Sequence, residues 1–112
     1  MVTLREVLVQ AGNEGVAVGH FNVSDLVTLK AVFESAIDEN LPVVVGVSEG
    51  ERQFLLRQIV ALVKSLREEH GLPIFLNADH THSMANAIRG RESWSRLDCV
   101  RCFHTACPWR NC

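Results

Sequence analysis

One stretch of this chain indicates its fold more clearly than any other: it reads Pro73-Ile74-Phe75-Leu76-Asn77-Ala78-Asp79-His80-Thr81-His82-Ser83. The apolar run at its start ends abruptly in a carboxylate and two imidazoles. Parallel α/β folds bind their ligands at the carboxyl ends of buried strands, so ionisable groups at such an end are well placed for chemistry. The stretch therefore predicts a strand that ends in a functional site.

Asp79 and His80 are the candidate reactive groups. A neutral imidazole can bind a metal, and a neighbouring carboxylate can carry a proton or orient the imidazole. Successive side chains of a strand point to opposite faces, so the two groups can share a site only where the chain leaves the sheet. The alternative is an Asx turn in which Asp79 or Ser83 caps a helix.

The rest of residues 1–88 repeats one pattern of helix, strand and polar strand end. Hydrophobic periodicity predicts helices over about 3–13, 24–40 and 52–70, and strands over 16–23, 41–47 and 73–79. This alternation predicts right-handed crossovers and a parallel sheet with all polar strand ends at one edge. Because three strands leave the last one without a further neighbour, we expect an exposed edge that favours self-association.

The first two predicted strands end in polar residues, Asn22 and Ser48, and each of these has both a functional and a purely structural interpretation. Asn22 can hydrogen-bond a substrate oxygen or close a turn, and Ser48 can contact a phosphate or begin a helix. His20 is interpreted as a packed strand histidine. The only lysines, Lys30 and Lys64, fall inside predicted helices, so a Schiff-base mechanism has no good candidate in this chain.

Composition limits the classes of partner and location. The chain has 112 residues, 47% of them hydrophobic, which is ample for one small core. A formal net charge of −2 gives no general attraction to nucleic acid or acidic membranes. The charged N-terminus does not resemble a signal peptide, and no apolar run approaches the roughly 20 residues that span a bilayer. We therefore expect a cytoplasmic protein without nucleic-acid or membrane partners.

Residues 89–112 differ in character from the rest. All four cysteines and both tryptophans lie there: Cys99, Cys102, Cys107, Cys112, Trp94 and Trp109. One Cys-x-x-Cys is present, but the other spacings do not supply a second knuckle of a regular zinc module. A redox motif is also disfavoured, because this Cys-x-x-Cys does not open a helix after a strand.

Three motifs together resemble one enzyme family. Residues 17–23, residues 45–50 and residues 76–83 occur in the order, and at the successive strand ends, found in class II, zinc-dependent fructose- and tagatose-bisphosphate aldolases. The resemblance covers about residues 3–88. It implies the N-terminal portion of a (β/α)₈ barrel with about three βα units, in which zinc polarises the substrate carbonyl and stabilises the enediolate of dihydroxyacetone phosphate.

The resemblance also assigns roles to four residues. His80 matches a zinc ligand, Asp79 matches the carboxylate that moves a proton on the C4 hydroxyl, and Asn22 and Ser48 match substrate-side positions. His82 has no secure counterpart. The implied substrates are ketose bisphosphates and triose phosphates. The family's other zinc histidines lie beyond position 112, so one histidine is left where a catalytic zinc normally needs three protein ligands, and the chain alone is expected to be inactive.

A shift of reading frame would explain the unusual composition of residues 89–112. Read one nucleotide later from about Arg89, the codons permit Ala-Gly-Lys-Ala-Gly-Leu-Asp-Ser-Ile-Val-Phe-Asp-Val-Ser-Thr-Leu-Pro, which resembles the fourth strand of such aldolases. We therefore expect a partial barrel over 1–88 and an irregular, non-homologous, frameshifted tail over 89–112. The alternatives are a small α/β interaction protein whose cysteine tail binds zinc, and another metal-dependent (β/α)₈ enzyme.

Overall fold

The fold is a parallel sheet with helices on both faces. A computed structural model describes residues 2–86 and 88, except for the side chains of 55–57, and the backbone of 99–103. Trp94 and Trp109, and the expectations for the rest of the tail, lie outside the described residues. No helix in the described part of the chain is long and apolar enough to cross a membrane.

Three helices begin and end at residues that cap them. They are α1 (Leu4–Glu14), α2 (Leu26–Glu39) and α3 (Glu49–His70). Thr3, Asp25 and Ser48 each accept a hydrogen bond from a backbone N–H in the first turn of the helix that follows, satisfying one of the donors left free there. Each helix ends at a residue in the left-handed conformation: Gly15, Asn40 and Gly71.

Four strands alternate with these helices in a single sheet of order β1-β2-β3-β4, all parallel. The strands are β1 (Gly19–Asn22), β2 (Val43–Val47), β3 (Ile74–Thr81) and β4 (Cys99–Phe103). The predicted parallel sheet is thus present. Its first strand is shorter than predicted, α3 begins three residues earlier, and β3 continues two residues further.

The two faces of the sheet bury apolar clusters of unequal size. The larger cluster joins α2 and α3 to the sheet through residues that include Leu29, Val63 and Leu76. The smaller consists of Val7 on α1 with Val44 and Phe75, together with partly buried Leu4 and Val18. Since residues two apart in a strand share a face, α1 covers the amino-terminal part of the face that carries Gly46, Asn77 and Asp79.

Residues 99–103 form a strand where the sequence predicted an irregular tail. Their backbone forms β4, which pairs with β3 from Leu76↔Cys99 to Thr81↔Phe103 with an irregularity in register between Ala78 and Thr81. The expected exposed edge of β3 is therefore wrong, because β4 pairs with it. The physical reason is that valine and phenylalanine favour strands wherever a ladder is available for them to extend.

Two leucines in the first two helices are exposed to solvent. Leu8 in α1 and Leu26 in α2 are 49% and 63% exposed, although they are large apolar residues within helices that hydrophobic periodicity predicts. The buried residues of these two helices are Val7 and Ala11 in α1 and Leu29, Phe33 and Ala36 in α2.

Candidate active site

The polar strand ends lie at one edge of the sheet, as predicted. Asn22 is the last residue of β1, Ser48 directly follows β2, and Asp79 stands near the end of β3. Parallel pairing places Asn22 beside Gly46, and Gly46 beside Asn77, so Asp79 lies two residues further along the same face. The carboxyl edge of the sheet is therefore the candidate site.

Asn22 and Asp79 are in direct contact across β2. The Asn22 Nδ2 group donates a hydrogen bond of 2.9 Å to Asp79 Oδ2. Partial burial acts to raise the pKa of Asp79, but the hydrogen bonds from the Asn22 side chain and the His80 backbone N–H, with nearby His80 and His20, outweigh it and lower that pKa. Asp79 is thus held as a carboxylate at neutral pH, with 18% of its side chain exposed.

His80 stands beside Asp79 because the backbone turns there. Its φ is 48°, in the left-handed region, which few residues with a Cβ occupy. The turn coincides with the irregular β3–β4 register, and it brings His80 Nε2 to 3.5 Å from Asp79 Oδ2. Asp79 and His80 can share a site only if the chain leaves regular strand geometry between them, and it does so here. The imidazole is about half exposed.

Ser48 has a structural task in the same region. Its hydroxyl accepts a hydrogen bond of 3.3 Å from the Glu51 N–H and so caps α3. The next residue, Glu49, accepts bonds of 2.8 Å from the His82 N–H and from Asn86 Nδ2, and the first of these is the main cause of its lowered pKa. The start of α3 thereby binds the segment that follows β3.

His20 and Asn77 were missed as site residues. His20 is exposed on the same face as Asn22, and its Nε2 lies 3.0 Å from Nδ2 of Asn77, which is 2% exposed. The Asn77 Oδ1 atom is buried without a hydrogen-bond partner among the described residues. The interpretation of His20 as a packed histidine does not hold. The available signal was its spacing of two from Asn22, which puts both side chains on one face.

Gly46 makes room for these contacts. A Cβ at this position would lie 2.7 Å and 2.8 Å from the His20 ring atoms Cε1 and Nε2, and closer still to Asn22 Oδ1. Side chains from β1 therefore cross over β2 to reach β3 because the residue between them has no side chain. The glycine within a run of valines was the signal for such a close approach.

Arg52 is the other residue that sequence reasoning missed. It is 6% exposed in the first turns of α3 and donates to the carbonyl oxygens of Val47 and Asp79 and to Thr81 Oγ1. The guanidinium joins the carboxyl ends of β2 and β3. No spacing rule predicts such a contact, since an arginine in the first turns of a helix is ordinarily solvated.

Comparison with known proteins identifies the family. Residues 2–98 match the family model described as "Fructose-bisphosphate aldolase class-II". The chain belongs to this family. The match ends immediately before Cys99, the first of the four cysteines.

Relatives and solved structures agree with this class II aldolase assignment. The chain is 34% identical over 93 residues to a "Probable fructose-bisphosphate aldolase" of Bacillus subtilis (strain 168), covering 80% of this chain and 33% of the relative. A fructose-bisphosphate aldolase of Staphylococcus aureus (strain Mu50 / ATCC 700699) is 33% identical over 87 residues, covering 74% of this chain and 30% of the relative. The chain therefore spans about a third of the length of the curated relatives it matches.

Two solved aldolase structures share the fold of this chain at low sequence identity. The YdjI aldolase from Escherichia coli K12 superposes with a TM-score of 0.72 at 22% identity, covering 82% of this chain and 36% of that one. The fructose-bisphosphate aldolase of Campylobacter jejuni gives 0.66 at 23% identity, covering 82% and 30%. The four parallel strands and their helices are thus an N-terminal part of the aldolase barrel.

The donor set can be compared with the zinc that the family uses. His80 fits a zinc ligand, because its half-exposed imidazole stands at the carboxyl edge beside a carboxylate. Within the described residues, no group of three or more His, Cys, Asp or Glu side chains is arranged to hold a metal ion. Among the described residues, His80 is therefore the candidate for one zinc ligand.

Proposed function

We propose that this chain carries the first part of a class II ketose-bisphosphate aldolase site, which cleaves fructose- or tagatose-1,6-bisphosphate into dihydroxyacetone phosphate and glyceraldehyde 3-phosphate. The observation that carries the proposal is the contact of Asn22, Asp79 and His80 at the carboxyl edge of an aldolase-family sheet. Each of the three comes from a motif that resembles the family's own.

Asp79 is the proton carrier in this proposal. Its lowered pKa keeps it ionised, so it can accept the proton of the substrate C4 hydroxyl as the bond between C3 and C4 breaks. In the condensation direction it returns that proton to the new C4 oxygen. The hydrogen bond from Asn22 orients the carboxylate, and the exposed part of the same amide can bind a substrate oxygen.

His80 and Ser48 complete the part of the site that lies in this chain. His80 would hold zinc, which when bound supplies a Lewis acid for the substrate carbonyl. Ser48 is at the start of α3, where backbone N–H groups and the helix dipole favour a phosphate. A catalytic zinc needs about three protein ligands, so we propose that the 112-residue chain by itself does not turn over.

The tail supports a frameshift as part of this proposal. The alternative reading places Ile-Val-Phe-Asp-Val at about the positions of β4, which supports the proposal. The family match itself continues past Arg89 to residue 98, so the segment that it leaves out begins at Cys99. Sequencing the coding region decides the point: an aldolase continuation in the other frame supports the frameshift, and an uninterrupted frame without one contradicts it.

A chimaera tests the function. We would replace the matching segment of the Bacillus subtilis relative with residues 2–98 and assay retro-aldol cleavage after zinc loading. Retained cleavage is expected, with loss of about 10²-fold or more in Asp79→Asn, since general base catalysis is worth 10²–10⁴-fold. Asp25→Asn, a cap outside the site, should keep the parent rate. A folded, zinc-loaded chimaera in which Asp79→Asn leaves cleavage unchanged would refute the role of Asp79.

The isolated chain is assayed in parallel. We expect no cleavage of either bisphosphate and weak binding of Zn²⁺ in a titration. Turnover that survives dialysis and disappears in Asp79→Ala would show that residues within the chain complete the site.

A further inference from the structure

Arg52 occupies a position from which it can control the geometry of the candidate site. Its side chain leaves α3 and runs beneath the carboxyl ends of β2 and β3, where it is 6% exposed. One nitrogen, Nη1, donates to the carbonyl oxygens of Val47 and of Asp79, the latter at 2.7 Å, and Nη2 donates to Thr81 Oγ1 at 2.7 Å. Acceptors from two strands therefore converge on one guanidinium.

The acceptors on β3 lie on either side of His80. The carbonyl oxygen of Asp79 belongs to the peptide that joins Asp79 to His80, so a bond to it fixes ψ of the first residue and φ of the second. The Thr81 hydroxyl, which also donates to the Ala78 carbonyl at 3.0 Å, is held on the other side. The left-handed turn at His80 is thus enclosed by two bonds from the same side chain.

That turn needs support from its surroundings. A residue with a Cβ is unfavourable in the left-handed region, and such a conformation persists where neighbouring contacts impose it. Charge-assisted bonds from a planar guanidinium are the strong, directional kind, and a lysine ammonium cannot reproduce their fork geometry.

We infer that Arg52 is a positioning residue that holds the Asp79–His80 peptide, so that the carboxylate and the imidazole face the same side of the sheet. The inference goes beyond the proposed function, because it concerns the backbone of the chain and applies whether or not the chain turns over. Arg52 acts through this peptide and through the β2 end, and it needs no contact with substrate.

Arg67 provides a matched control on the same helix. It is 4% exposed, and its guanidinium lies over the Phe75 ring at 5.2 Å. Replacing it removes an equally buried arginine at the far end of α3. General loss of α3 packing should therefore appear in both variants, whereas a change at His80 should appear only when Arg52 is replaced.

The experiment uses isotope-labelled full chain without zinc or substrate. We would compare the parent with Arg52→Met, Arg52→Lys, Thr81→Val and Arg67→Met, reading φ at His80 from its N–H to Hα coupling and carbon shifts, and the Asn22–Asp79 bond from the Asn22 side-chain amide resonance. Urea midpoints report global stability. Because no activity is measured, the result is independent of the proposed aldolase function.

The expected result is specific to Arg52. Arg52→Met should lose the left-handed signature at His80 and shift the Asn22 amide toward its position in water, while Arg67→Met loses stability with both signals unchanged. Arg52→Lys and Thr81→Val should move the same signals by smaller amounts, and they decide the matter if Arg52→Met does not fold. Unchanged His80 and Asn22 signals in the folded Arg52 and Thr81 variants, or equal changes in Arg67→Met, would overturn the inference.

Discussion

Replacement of Gly46 by alanine is the most direct perturbation of the contacts between β1 and β3. The new Cβ would lie 2.7 Å from His20 Cε1 and 2.8 Å from His20 Nε2, and closer to Asn22 Oδ1. Both side chains must move away, which breaks the 2.9 Å bond from Asn22 to Asp79 and the 3.0 Å contact between His20 and Asn77. One methyl group therefore removes both cross-strand contacts.

The expected loss of stability is about 2 kcal/mol. Overpacking costs about 1–3 kcal/mol, and each lost hydrogen bond contributes about 0.5–1.5 kcal/mol. Alanine regains about 0.5–1 kcal/mol over glycine in a strand. His20 and Asn22 are exposed, so they can turn into solvent, which keeps the total near the lower part of the combined range.

Urea unfolding followed by circular dichroism measures this loss, and the Asn22 side-chain amide resonance reports the broken bond. Gly12→Ala in α1 is the control, since a Cβ there meets nothing within 4 Å and the helix should gain about 0.5–1 kcal/mol. The reasoning would be refuted by a Gly46→Ala chain with the parent's midpoint and an unchanged Asn22 resonance.

Three further predictions concern other parts of the fold. The hydrogen bond from the Thr28 N–H lowers the pKa of Asp25 below its ordinary 3.8. The ionised Asp25 side chain should therefore stabilise the fold above pH 3.8, and this stabilisation should be lost as the pH falls through the lowered pKa. Asp25→Asn should remove this pH dependence from the urea midpoints, and a variant with the parent's pH profile would contradict the prediction. Phe75→Ala should cost about 3–5 kcal/mol at a side chain with no exposure, while Phe54→Ala, 83% exposed, should stay within about 0.5 kcal/mol. Removing residues 89–112 takes away β4 and should lower the free energy of unfolding by about 2 kcal/mol or more, because the hydrogen bonds between β3 and β4 are lost. The uncovered edge of β3 should also promote aggregation. An unchanged urea midpoint would contradict this prediction and would mean that the tail contributes nothing to stability.

The sequence was a good guide where local rules determine structure. Thr3, Asp25 and Ser48 are capping residues by type, and the valine run of β2 is buried on both faces, as continuous apolar runs usually are. Strand ends follow from the same patterns, so the common edge of Asn22, Ser48 and Asp79 could be predicted before any coordinates. Their chemical roles remain a prediction.

The missed features depend on contacts between distant residues. Arg52 reaches acceptors 27 and 29 positions away, and Asn22 and Asp79 are separated by 57 positions. Such pairs are set by register and by the tilt of a helix, which no periodicity encodes. The strand at 99–103 was missed for a different reason: the inferred frameshift predicts a tail without regular structure, whereas a free ladder on β3 can order any segment of sufficient β-propensity.

The unequal clusters on the two faces have a consequence for local unfolding. Helix α1 is held by the small cluster around Val7, Val44 and Phe75, whereas α2 and α3 share the large one. Segments with little buried apolar surface open at lower free energy than the core, independently of global unfolding. Amide hydrogens of α1 should therefore exchange with solvent through a partial opening, well before those of β2 and β3. In the opened state Phe75 would meet water, so among the described residues the part of the sheet that α1 covers would become solvated before the part under α2 and α3.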